Sequence, residues 1–239
     1  MNTLYPPVVR TEPLHRTQQG FSLLELSVVL AVIGLIVAAV TIGRDVQRNA
    51  VYQRISSDFV QGWAMAYDNF VTATGNVPGD LAANPSGRVN NGAGALCGAA
   101  LIGAMQAAGI PLPEGRTAGS QDRFVYLDSN GNPQEVQVCF NSVAWAEPNA
   151  VPGTFVLRNR NVMTLAGLTP SLATTLDSSI DGHVDAAFGR VREQAQANVA
   201  APVSTGWSVD DGVAHGAALA TNLDESQVAV VLAYFKMNR

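Results

Sequence analysis

The chain has 239 residues, 47% of them apolar and 14% charged, with a formal net charge of −5. That length supports a sizeable core, and the apolar content excludes a disordered chain. The acidic balance opposes nonspecific nucleic-acid binding, and the single lysine, Lys236, stands outside any Gly-Lys-Ser/Thr sequence and so excludes a P-loop.

Residues 1–20 are polar, contain Pro6, Pro7 and Pro13, and show no helical or strand period. From Phe21 to Gly43 the only charge is Glu25. As a helix this stretch reaches roughly 35 Å, enough for a hydrocarbon core of about 30 Å. Three readings compete for it. A secretory signal with Val37-Ala38-Ala39 as its small-residue site accommodates Glu25 poorly. A plain single-span anchor explains the length but not the acid, which costs roughly 2.5–3.5 kcal/mol inside a bilayer. A segment that uses the acid explains both.

Gly20, Phe21, Ser22, Leu23, Leu24, Glu25 and the apolar run from Leu26 through Ile42 resemble, in order, the N-terminal signature of type IV prepilins and type II secretion pseudopilins. The resemblance implies cleavage after Gly20 on the cytoplasmic side by prepilin peptidase, then N-methylation of Phe21. It gives Glu25 an assembly role. The carboxylate meets the new ammonium of Phe21, either on a neighbouring subunit or within the first turn of its own helix, and sequence leaves the two open. The leader is long, as in type IVb pilins, whereas Phe21 is typical of type IVa pilins and pseudopilins. Ile42 and Gly43 stand where many members carry a proline. Arg44, Arg48 and Arg54 follow the span while only Arg10 and Arg16 precede it, so the positive-inside rule is weakly obeyed. The cleavage motif sets the expected orientation: a single pass in the bacterial inner membrane, with the C-terminal part in the periplasm and later in a filament.

No proline occurs between Pro13 and Pro78, and Tyr52, Ile55, Phe59, Trp63, Ala66 and Phe70 recur at spacings of three and four. This predicts one helix from Phe21 to Thr74, roughly 80 Å long, stopped by Gly75 and Pro78-Gly79-Asp80. Its first half, 21–43, is the membrane or polymerisation segment; its second, 44–75, is amphipathic; residues 76–239 form the exported domain. There, Leu81–Gly94 reads as loop and Ala95–Ala108 as a short helix stopped at Gly109. Arg123–Leu127 and Glu135–Phe140 alternate like strands around an Asp128-Ser129-Asn130-Gly131-Asn132-Pro133 hairpin turn. Phe155–Leu157 is a further strand. Thr169-Pro170 caps a helix through Ile180 closed by Asp181-Gly182, and Val228–Phe235 is the last strand. The predicted class is α+β: a long N-terminal helix packed on a small antiparallel sheet, with an irregular C-terminal region.

Cys97 and Cys139 are the only cysteines. In an exported domain the even count favours one disulfide, closing a loop of about 43 residues, whereas a cytosolic chain would keep two free thiols. Asp128, Asn130, Asn132 and Glu135 offer alternating oxygens, but their glycine is misplaced for an EF-hand and a hairpin turn explains them. Asp177, Asp181 and Asp185 are weak calcium candidates that helix capping also explains. Asp210-Asp211-Gly212 reads as a turn. His15, His183 and His215 lack ligand spacing, and no Gly-x-Ser-x-Gly elbow occurs, so neither catalysis nor a cofactor is expected. Leu176 through Gly182 with Gly189–Arg192 downstream, and Tyr67 through Pro78-Gly79-Asp80, are similar to stretches of some long proteobacterial prepilin-like proteins.

The expected function is a structural subunit, minor or specialised, of a type IV pilus or type II secretion pseudopilus. Its partners would be other pilin or pseudopilin subunits, prepilin peptidase and an inner-membrane assembly platform. The alternative is a membrane-anchored periplasmic binding module that never polymerises.

Overall fold

The computed structural model describes residues 21–207 and 229–238; the leader with Gly20 and His15, the Asp210-Asp211-Gly212 turn, His215 and Val228 lie outside them. The chain divides into two units, Met1–Val46 and Gln47–Arg239, and the first helix, α1 (Leu23–Arg54), runs across that boundary. From Leu26 to Gly43 this helix carries no charged residue, and Leu24, Leu30, Leu35 and Ile36 are exposed. Leu23–Val40 is long and apolar enough to cross a bilayer.

In the second unit the helical path has three parts. The end of α1 leads into a π-helical stretch, Ile55–Val60, followed by α2 (Gln61–Thr74). Gly75 stops α2 as the periodicity predicts, adopting φ 75° and donating its N–H to the Val71 carbonyl. The π stretch was not predicted, because a 3–4 spacing of apolar residues does not distinguish one wide turn from regular helix. Its effect is local: the neighbours Ile55 and Ser56, then Phe59 and Val60, are buried as pairs.

The sheet has six antiparallel strands: β1 (Leu96–Cys97), β2 (Arg123–Leu127), β3 (Pro133–Pro148), β4 (Phe155–Leu168), β5 (Val191–Glu193) and β6 (Val231–Lys236). They lie in the order β1-β3-β4-β6-β5, with β2 also paired to β3. The β2–β3 hairpin is the one predicted, and Asp128 shapes its turn by accepting hydrogen bonds from the N–H groups of Asn130 and Asn132. β3 and β4 are much longer than predicted. Their pairing runs from Gln137↔Ala166 to Pro148↔Phe155, through Asn141-Ser142 and Asn159–Asn161, where polar side chains hide the strand pattern. Asn161 is fixed by donating to the Gly87 carbonyl and by bonding Ser142 and the Val89 N–H. β5 was not predicted; three residues are too short to show alternation. The predicted 95–108 helix starts later, as α3 (Gly98–Ala107), because Leu96 and Cys97 pair with Phe140 and Cys139 instead. The last helix, α4 (Pro170–Asp181), has the predicted ends: Thr169 Oγ accepts from the Leu172 N–H, and Gly182 adopts φ 76°.

One sheet face and the helical stripe form the main core. Val136, Val138 and Phe140 of β3 and Met163 and Leu165 of β4 meet Tyr52, Phe59, Trp63 and Tyr67. Aromatic pairs fix the contact: Tyr52–Tyr126 at 5.9 Å, Phe59–Phe124 at 5.5 Å, and Phe140 against Tyr67 at 4.9 Å and Trp63 at 6.1 Å. Ser56 hydrogen-bonds Ser179 at 2.8 Å, and the Tyr52 hydroxyl bonds Ser171, tying the helical path to α4. A disulfide joins Cys97 of β1 to Cys139 of β3.

Candidate processing and assembly site

The first turn of α1 is organised by Ser22 and Glu25. The Glu25 N–H donates to Ser22 Oγ at 3.1 Å, and the Ser22 N–H donates to Glu25 Oε2 at 3.2 Å. Ser22 Oγ also bonds Oε2 at 3.4 Å, and the Leu26 N–H closes the first helical bond onto the Ser22 carbonyl. This is a capping box: N-cap serine and N3 glutamate satisfy two otherwise orphaned backbone donors reciprocally. The pattern Ser-x-x-Glu ahead of an apolar run is readable in sequence, and sequence reasoning that attended only to the charge missed it. Its consequence is positional. The carboxylate folds back toward the N-terminal end of the helix, beside the residue that follows Phe21, where helix-end N–H groups and the macrodipole favour negative charge. Phe21 itself is 80% exposed. Gly20, the other expected processing residue, lies outside the described residues.

Residues 15–41 match the family model described as the prokaryotic N-terminal methylation motif. The segment is prepilin-type. No curated protein and no solved structure matches the chain. The prepilin-type segment supports a type IV pilin- or pseudopilin-like protein, and with the apolar helix it points to membrane anchoring. It implies processing by prepilin peptidase and assembly with other pilin subunits.

The three aspartates weighed for calcium each accept hydrogen bonds from backbone N–H groups. Asp177 Oδ2 accepts from the Asp185 N–H and from Trp207 Nε1. Asp181 Oδ2 accepts from the N–H groups of Arg190 and Val191, starting β5. Asp185 Oδ1 accepts from the N–H groups of Ala187 and Thr205. Burial pushes the Asp177 carboxyl up to about 6. Burial also acts to raise Asp185, but its hydrogen bonds, led by the one from Ser204, outweigh that and hold it below the usual carboxylate range. Among the described residues no group of three or more His, Cys, Asp or Glu side chains is arranged to hold a metal ion. These aspartates hold loops, and so does Asp80, which accepts from Leu81 N–H, Ser86 N–H and Oγ, and Gly87 N–H. The Pro78-Gly79-Asp80 and Leu176–Gly182 stretches thus supply backbone clamps.

Proposed function

We propose that the chain is a structural subunit, minor or specialised, of a type IV pilus or type II secretion pseudopilus. It is cleaved after Gly20, methylated at Phe21 and assembled through its N-terminal helix, with its C-terminal domain exported to the periplasm. The observation that carries this is the methylation motif over residues 15–41, whose intramembrane acid is held at the helix start by Ser22. Cleavage would place an ammonium on Phe21, four residues ahead of Glu25. The capping carboxylate is turned toward that end, where it meets the ammonium of its own chain or that of a staggered neighbour. Pairing neutralises two charges that are each costly in lipid, which favours moving the helix from bilayer to filament. The large exported domain supports a specialised role. A structural subunit needs no catalytic centre, and the energy for assembly would come from another protein.

Two measurements test this. Mass spectrometry of the mature protein should find an N-terminus at methylated Phe21; a chain retaining residues 1–20 would end the proposal. Glu25→Val should still be processed and inserted but should be depleted at least tenfold from sheared filaments. Normal incorporation of that variant would remove the charge-pairing step.

A further inference from the structure

The sheet face opposite the helical stripe concentrates positive charge in a chain that is acidic overall. Cross-strand partners share a face, so the pairs Trp145↔Arg158, Val143↔Arg160, Val162↔Lys236 and Arg192↔Tyr234 place Arg158 and Arg160 of β4, Lys236 of β6 and Arg192 of β5 together. Arg190, just before β5, lies at the strand end, where its guanidinium stacks over the Phe235 ring at 4.9 Å and donates to the Lys236 carbonyl and Asn238 Oδ1.

Arg192 is nearly buried and acts as a brace. Its guanidinium lies 4.3 Å from the Trp145 ring centroid and donates to the carbonyls of Ala146 and Gly189. Its charge is opposed through space by Asp181, Glu147 and Asp185. Glu147 of β3 is shared among the cations of this face. Arg160 binds both its oxygens, at 2.8 and 2.6 Å, while Lys236 reaches Oε1 at 3.4 Å and Arg158 approaches Oε2 at 3.9 Å.

A cleft of about 460 Å³ opens at the end of β6, lined by Glu147, Arg160, Arg190 and Lys236 with Asn161 and Asn238. The Arg160 side chain is 43% exposed and that of Lys236 31%. Three lining cations against one lining carboxylate leave a local surplus of two positive charges. A cleft with low-dielectric walls focuses such a field. A phosphomonoester carries about −1.5 to −2 at pH 7 and presents three acceptor oxygens, which matches the surplus where a single carboxylate would leave half of it. The volume exceeds that of a bare phosphate and falls within the range of small-ligand sites. We propose that this cleft binds a phosphate monoester carried on a sugar-sized body.

The test uses the mature full-length protein in detergent, titrated calorimetrically at fixed ionic strength with glucose 6-phosphate, inorganic phosphate, sulfate and a phosphodiester oligonucleotide. Glucose 6-phosphate should bind most tightly. Glucose 6-phosphate should bind about tenfold more tightly at pH 7.5 than at pH 5, following the second ionisation of the monoester near pH 6, and inorganic phosphate should change in the same direction. Sulfate, divalent throughout, should show no such change. The double variant R160Q/K236Q should lose at least tenfold in affinity with an unchanged far-UV circular dichroism spectrum. The proposal is overturned by undetectable phosphate binding, by equal phosphate affinity at the two pH values, or by an undiminished affinity in the double variant. Tighter binding of the oligonucleotide than of glucose 6-phosphate overturns it too, and would mark the face as a polyanion surface. Should the variant not fold, the pH comparison in the native protein decides.

Discussion

Asp177 and Glu147 are carboxylates that the fold treats in opposite ways. Asp177 is fully buried; among the described residues its Oδ1 has no partner while Oδ2 takes two donors, and burial lifts it from 3.8 to about 6. The folded state holds this proton more tightly than the unfolded state does. The group therefore contributes stability below about pH 4, and that contribution is lost as pH rises through about 6, by at most about 3 kcal/mol. Asp177→Asn keeps an acceptor for Trp207 and Asp185 but has nothing to titrate. Its unfolding free energy should decline less than the native protein's between pH 4.5 and 7 in denaturant titrations; identical slopes would discard this account. Glu147 behaves conversely. The paired hydrogen bonds from Arg160 hold it at about 2, so its contribution is present above about pH 4.5 and disappears as pH falls toward 2. Neither role is readable from sequence neighbours: Trp207 lies thirty residues from Asp177, and Arg160 reaches Glu147 only across the β3–β4 pairing. Gly167 shows the same dependence on pairing. It adopts φ 81° at the irregularity between β4 and β6, where an added Cβ would collide with the Glu135 carbonyl. Gly167→Ala should lower stability by about 3 kcal/mol or more in the same assay, since strain and collision add.

Among the elements, the helical path of the second unit was legible because periodicity survives in its stripe, and its stop at Gly75 because a left-handed C-cap favours glycine. The π stretch was not legible, yet it makes a prediction of its own. A π turn holds an extra residue within the helix. Deleting the exposed Ser57 should let Ile55–Val60 close as regular helix with the stripe in place. Deleting exposed Met65 from α2 should instead rotate every later contact by about 100°. The Met65 deletion is expected to unfold the domain or lower its melting temperature far more than the Ser57 deletion; equal losses would show the π stretch to be irreplaceable. Among strands, the β2–β3 hairpin was legible from its Asp-Ser-Asn-Gly-Asn turn. Much of β3 and β4 was not, because Asn141, Ser142, Asn159 and Asn161 break the apolar alternation, and Ser142 and Asn161 satisfy their side chains through contacts made only in three dimensions.

For the whole molecule, the disulfide closes the loop from β1 to β3 around α3 and β2. The loop-entropy model assigns it on the order of 4 kcal/mol. The double variant C97S/C139S should melt roughly 10 °C lower in calorimetry. Unreduced native protein should take up no thiol label; a small melting shift would place its value in oxidative protection rather than stability. By itself the sequence determined the prepilin-type segment, the α+β class, the helix ends at Gly75 and Thr169, and the cysteine pairing, since each depends on local chemistry or on there being one possible partner. Tertiary structure alone decided the extent of the long strands, the short β5, the backbone groups that Asp177, Asp181 and Asp185 clamp, and the gathering of Arg158, Arg160, Arg192 and Lys236 on one face. Those depend on register across strands far apart in the chain, and a linear pattern carries no record of which residue lies opposite which.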